Sequence, residues 1–159
     1  MTPPANPPYR FGDLLALARR TWIRHVTAAM ERAGFPGYRQ TDSWVLRLLA
    51  QQPMAIGQLG EAMGVTRQAA RKLANGMVER GYATLSPDPA DARRTMVVLT
   101  SAGEAYAWAA ATTQDALNNR LRDRVSPEDL AAADRVLRAV FLSPNVRRRI
   151  DEAVPPPLP

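Results

Sequence analysis

The sequence predicts a mainly α fold (α+β), with one β-hairpin set among six helices. Three observations lead there. Apolar residues recur at intervals of three and four over most of the chain, whereas strand patterns are confined to residues 82–86 and 95–99, the second alternating with a period of two. Of the 14 prolines, four lie in residues 3–8 and four in 155–159, outside the patterned middle. Both ends therefore read as flexible tails, 1–8 and 155–159, around a single domain over 9–154, and 159 residues suffice for one compact core.

The elements follow in order. From Phe11 to Ala33 the residues Phe11, Leu14, Leu15, Ala18, Trp22, Val26, Ala29, Met30 and Ala33 return at helical spacing, and Gly34 supplies a stop. A second helix is predicted over Thr41–Gln52, with Trp44, Val45, Leu48 and Leu49 inward and Pro53 ending it. Gly57–Met63 fits a short third helix stopped by Gly64. Thr66 then caps a fourth, running to about Arg80 before Gly81, because a threonine hydroxyl accepts an orphan N–H of the first turn. Asn75-Gly76 inside this span is a turn signal, and glycine costs about 1 kcal/mol against alanine within a helix. Residues 82–86 and 95–99 form two strands joined by a long, polar, basic tip over 87–94. Ser101-Ala-Gly-Glu104 has a capping-box pattern opening an Ala-rich helix to about Arg122, and Ser126-Pro127-Glu128-Asp129 opens a sixth to about Leu142. Pro144 interrupts, and Val146–Ala153 suggests a short basic helical piece.

Composition narrows the function. Lys plus Arg number 21 against 15 Asp plus Glu, a formal net charge of +6 that suits a polyanionic partner. With no cysteine, disulfides, thiolate metal sites and thiol chemistry are excluded. One histidine, no Gly-rich phosphate loop and no HExxH spacing leave no convergent set of reactive groups, so neither an enzyme nor a metal or cofactor is expected. Glu128 and Asp129 sit in a helix's first turn, where the helix dipole explains them. The first residues do not read as a signal peptide and no run of 18 apolar residues occurs, so the expectation is a cytoplasmic protein without a membrane partner.

The fourth helix carries the functional constellation. Gln68, Arg71, Lys72, Asn75 and Glu79 recur at three and four, opposite a stripe of Ala70, Leu73, Ala74, Met77 and Val78. Arginine can bond guanine bidentately, Gln or Asn can pair with adenine, and Lys or Thr can hold phosphates, so this face suits the major groove of duplex DNA. Taken singly, Arg67, Arg71 and Lys72 would merely solubilise a surface helix. Their arrangement says more: a short helix, a tight Gly64-Val65 turn, a cationic helix and then a hairpin bearing Asp91, Arg93 and Arg94 read as a winged helix-turn-helix. The two wing arginines suit an adjacent minor groove, and Asp91 can brace Arg93 through a charge-assisted bond.

At this point a resemblance is specific. Gln40-Thr-Asp-Ser-Trp-Val-Leu-Arg-Leu-Leu, the run from Ile56 to Leu73, Val78-Glu-Arg-Gly-Tyr and the run from Asp88 to Gly103 resemble the MarR family of bacterial regulators. The resemblance implies a homodimer held by N- and C-terminal dimerisation helices, 9–39 and 101–154, with the winged domain, 40–100, of each subunit on one half of a pseudo-palindromic operator. By position it puts Thr66, Arg67, Gln68, Arg71 and Lys72 on the reading helix and Arg93 on the wing. This chain departs from the family pattern at Ala55, where a capping Thr is frequent, and at Ala92, commonly basic, for which Arg94 can compensate. Ala74, Asn75 and Gly76 are also softer than the family's usual residues.

Many members release DNA when a small aromatic or anionic effector binds between the dimerisation helices and the winged domain. Trp22, His25, Trp44, Tyr106 and Trp108 are the candidates here, although Trp22 and Trp44 also fit the apolar stripes of their helices. The expected function is a sequence-specific transcriptional regulator, a repressor released by a small ligand. The alternatives are a winged-helix protein-interaction module and a DNA-binding protein without ligand response.

Overall fold

A computed structural model describes residues 10–140. The expectations for the tails 1–8 and 155–159, for Leu142 and Pro144 and for the helical piece Val146–Ala153 lie outside the described residues. The chain divides into two compact units, residues 1–38 and 39–159.

In the first unit, α1 spans Phe11–Arg32 and buries Val26 and Met30. Phe35 N–H closes its end by donating to Met30 O at 2.9 Å. Four large apolar residues near its start, Phe11, Leu14, Leu15 and Leu17, are exposed.

The second unit runs α2 (Gln40–Leu49), β1 (Met54–Ala55), α3 (Ile56–Met63), α4 (Arg67–Glu79), β2 (Ala83–Asp88), β3 (Asp91–Leu99), α5 (Ser101–Arg122) and α6 (Pro127–Ala139). The strands form one antiparallel sheet in the order β1-β3-β2. Its core joins Val45, Leu46 and Leu49 of α2, Ile56 and Leu59 of α3, Ala70, Ala74 and Met77 of α4, Val97 of β3, and Tyr106, Ala107 and Ala110 of α5.

Several elements differ from expectation. The second helix stops at Leu49, short of Gln52, because the residue before Pro53 disfavours helical backbone and Met54–Ala55 is taken into the sheet. Two residues are too few to show alternation, so this strand left no periodic signal. The hairpin is tighter than the predicted tip. Its turn is residues 89–90, and Asp91, Arg93 and Arg94 belong to β3. The pairing then jumps: Pro87 faces Thr95 while Asp88 faces Asp91, so Ala92, Arg93 and Arg94 bulge from the ladder. Thr100, not Ser101, caps α5, its hydroxyl accepting from Gly103 N–H at 3.2 Å. Ser126 caps α6 as expected, accepting from Asp129 N–H at 3.1 Å.

Candidate nucleic-acid interface

Gly64, at φ 66° in the left-handed region, ends α3 and turns the chain through Val65 into α4. The start of α3 lacks a side-chain cap at Ala55, but Gln58 Oε1 accepts the Ala55 N–H at 3.0 Å and serves one orphan donor. Thr66 caps α4, its Oγ1 accepting from Ala69 N–H at 3.2 Å while its own proton stays able to donate.

On α4, Ala70, Ala74 and Met77 are buried, whereas Arg67, Gln68, Arg71, Lys72 and Asn75 are exposed. The divided face anticipated from spacing is therefore present, with one correction: Val78 is exposed, so the buried stripe is narrower than five residues. Asn75 and Gly76 stay helical. Gln68, Arg71, Lys72 and Asn75 line an open groove of about 980 Å³ beside the start of α2, which contributes Arg39, Thr41 and Asp42. Four cations face it, Arg39, Arg71, Lys72 and Arg80, against the acids Asp42 and Glu79.

Arg67 instead shares a smaller recess of about 210 Å³ with Arg94 and the start of α3. On the wing, Arg93 has a side chain 92% exposed, yet it is not loose: its Nε and backbone N–H both donate to Asp91 Oδ1 at 3.1 Å. Those bonds hold the Asp91 carboxyl below its ordinary range, the side-chain bond foremost. Asp91 thus aims Arg93, the brace that the spacing suggested. Arg94 pairs with Asp88 across the hairpin at 3.4 Å.

The effector candidates fall on three helices, α1, α2 and α5. On α1, Trp22 is half-buried and His25 exposed. In the second unit, Trp44 is half-buried, Tyr106 is 2% exposed and Trp108 is 59% exposed. Tyr106 packs against Tyr82 with ring centroids 5.0 Å apart, and two residues along a helix rotate by about 200°, so Trp108 leaves α5 on the other side.

Sequence reasoning missed Asp42 and Arg80. Asp42 Oδ1 accepts from Arg80 Nη2 at 3.1 Å, joining the first turn of α2 to the end of α4. Burial pushes the Asp42 carboxyl up, and Arg80 and then Arg39 pull it back only in part. Thirty-eight residues separate the pair, so no local pattern announces it.

Residues 37–94 match a family model described as the MarR family. The chain is 30% identical over 136 residues to an uncharacterized protein of Mycobacterium tuberculosis, covering 86% of this chain and 90% of that one. It is identical to the same extent to an uncharacterized protein of Mycobacterium bovis. Among solved structures it is similar to Streptococcus pneumoniae FabT in complex with DNA, at 16% identity and TM-score 0.67, covering 82% of this chain and 91% of that one. It is also similar to the heme sensor protein PefR from Streptococcus agalactiae in complex with heme, at 15% identity and TM-score 0.67, covering 86% and 92%. A third similarity is to CouR from Rhodococcus jostii bound to p-coumaroyl-CoA, at 18% identity and TM-score 0.60, covering 85% and 94%. At these identities the three structures establish the shared fold.

Proposed function

The chain belongs to the MarR family, and from that premise we propose that it is a sequence-specific, duplex-DNA-binding transcriptional regulator that works as a homodimer in the cytoplasm. The family is one of transcriptional regulators rather than enzymes. One observation carries the reading: Gln68, Arg71, Lys72 and Asn75 stand exposed on one face of α4, opposite the buried Ala70, Ala74 and Met77, beside a wing whose Arg93 is held outward by Asp91. In that arrangement α4 lies in the major groove, Arg71 and Lys72 meet base edges and phosphates, Thr66 and Arg67 hold the backbone, and Arg93 with Arg94 reaches the adjacent minor groove.

Residues 9–39 and 101–154 form the dimerisation part and 40–100 the reading part. Helix α6 supports this, since none of its residues is buried and Val136 and Leu137 are exposed on it, an apolar surface that a second subunit would cover. Among the described residues no helix is long and apolar enough to cross a membrane. Structural neighbours bound to heme and to p-coumaroyl-CoA support a ligand-released repressor whose effector is a small aromatic or anionic molecule. Trp22, His25, Trp44, Tyr106 and Trp108 remain the residues proposed to serve it.

Selection of duplexes from a random library by the full chain tests the reading. The expected product is a pseudo-palindrome whose half-sites are about one helical turn apart. Recovery of no consensus, or of a lone half-site, would refute it.

A further inference from the structure

We propose that Asp42 and Arg80 are a positioning pair for the reading helix, which hold the second half of α4 in its DNA-reading attitude without themselves reading a base. This rests on the assignment of α4 as the reading helix.

Four observations lead to it. The pair lies in the groove lined by Gln68, Arg71, Lys72 and Asn75, so it shares the surface those side chains present. It ties α4 to a different element, whereas Arg93–Asp91 and Arg94–Asp88 close within one hairpin. Asp42 has a side chain only 8% exposed and engages Arg80 Nη2 at 3.1 Å, while the same nitrogen lies 4.0 Å from Met77 Sδ, so the guanidinium is held from two sides. Gly76 makes the room: a Cβ there would stand 3.1 Å from Arg80 Nη2 and 3.3 Å from Nη1, closer than ordinary packing. The soft Asn75-Gly76 step is thus where the Arg80 guanidinium folds back over the helix to reach α2.

Stability alone does not account for such a pair. Burial pushes the Asp42 carboxyl up against the pull of Arg80 and Arg39, and a part-buried ion pair of this kind is weak support for stability. What it supplies is direction, because a guanidinium and a carboxylate accept few mutual geometries. The helix end is then referenced to α2, and Arg71, Lys72 and Asn75 are carried with it.

The test uses full-length variants Asp42→Ala and Asp42→Asn, the second keeping an acceptor oxygen for Arg80. Affinity is measured for the selected duplex and for an unrelated one, well below each variant's melting temperature. Asp42→Ala should lose about tenfold on the selected duplex, the scale of one misread base pair, and less than about twofold on the unrelated duplex, while Asp42→Asn should retain most of the affinity. The sign discriminates. If Asp42 acts only as a charge near DNA, removing it strengthens binding to both duplexes, and that result overturns the proposal, as does an equal loss on both. Should the wild-type chain bind no duplex, the DNA-binding assignment falls by itself. Amide exchange at residues 77–80 reads the pair's hold on the end of α4 separately: faster exchange in Asp42→Ala supports that hold, and unchanged exchange overturns it.

Discussion

Gly103 is the residue at which a single missing carbon lets α5 approach the end of the hairpin. A Cβ at this position would collide with the Tyr82 carbonyl oxygen, which already accepts the Thr100 N–H at 3.1 Å. Thr100 completes the junction by donating through Oγ1 to Gly81 O at 2.6 Å. Since backbone rather than a flexible side chain occupies the space, Gly103→Ala should destabilise the fold by about 3 kcal/mol, the upper end of ordinary overpacking. A urea midpoint series measures this, and a change below about 0.5 kcal/mol, the size of a neutral surface substitution, would contradict it. The same junction explains a misreading. Ser101 and Glu104 have capping-box spacing, but the Gly81 carbonyl selects Thr100 as the cap, a contact across 19 residues that no local pattern contains.

Among the elements, α4 is where local and tertiary preferences meet. Its polar and apolar faces were legible because helical spacing alone separates Arg71, Lys72 and Asn75 from Ala70, Ala74 and Met77. The turn signal at Asn75-Gly76 was misleading, because the buried Ala74 and Met77 on either side anchor the helix and Arg80 covers the glycine. Gly76→Ala should therefore gain much less than the propensity difference of about 1 kcal/mol while Asp42 holds Arg80 over that position. In an Asp42→Ala background the guanidinium can move aside and the full gain should return. A denaturation double-mutant cycle reads the difference, and equal gains in both backgrounds would contradict the contact. The wing was half legible: alternation found Thr95–Leu99, but the three-residue bulge at Ala92–Arg94 depends on how β3 registers against β2. That bulge frees Arg93 from the ladder and leaves its guanidinium for Asp91 to direct.

At the scale of the molecule, the order of helices and hairpin followed from two periodicities, 3.6 and 2, together with glycine and proline stops. The proposed subunit association was less legible, because an exposed apolar residue such as Val136 or Leu137 looks in sequence like any core residue. The proposed interface also joins two sorts of contact that composition cannot separate: base reading by α4, and phosphate or groove attraction at the wing. Salt separates them. Each phosphate contact releases counterions and adds to the slope of log affinity against log salt concentration, whereas a base contact changes affinity with little effect on slope. The direct measurement is that slope on the selected duplex for the wild-type chain, Arg71→Ala and Arg93→Ala. The wild type should show a slope of several units. Arg71→Ala should lose about 1–3 kcal/mol at nearly the same slope, and Arg93→Ala should reduce the slope by about 1. A wild-type slope near zero, or two variants indistinguishable from wild type in both affinity and slope, would contradict DNA reading by α4 and the wing.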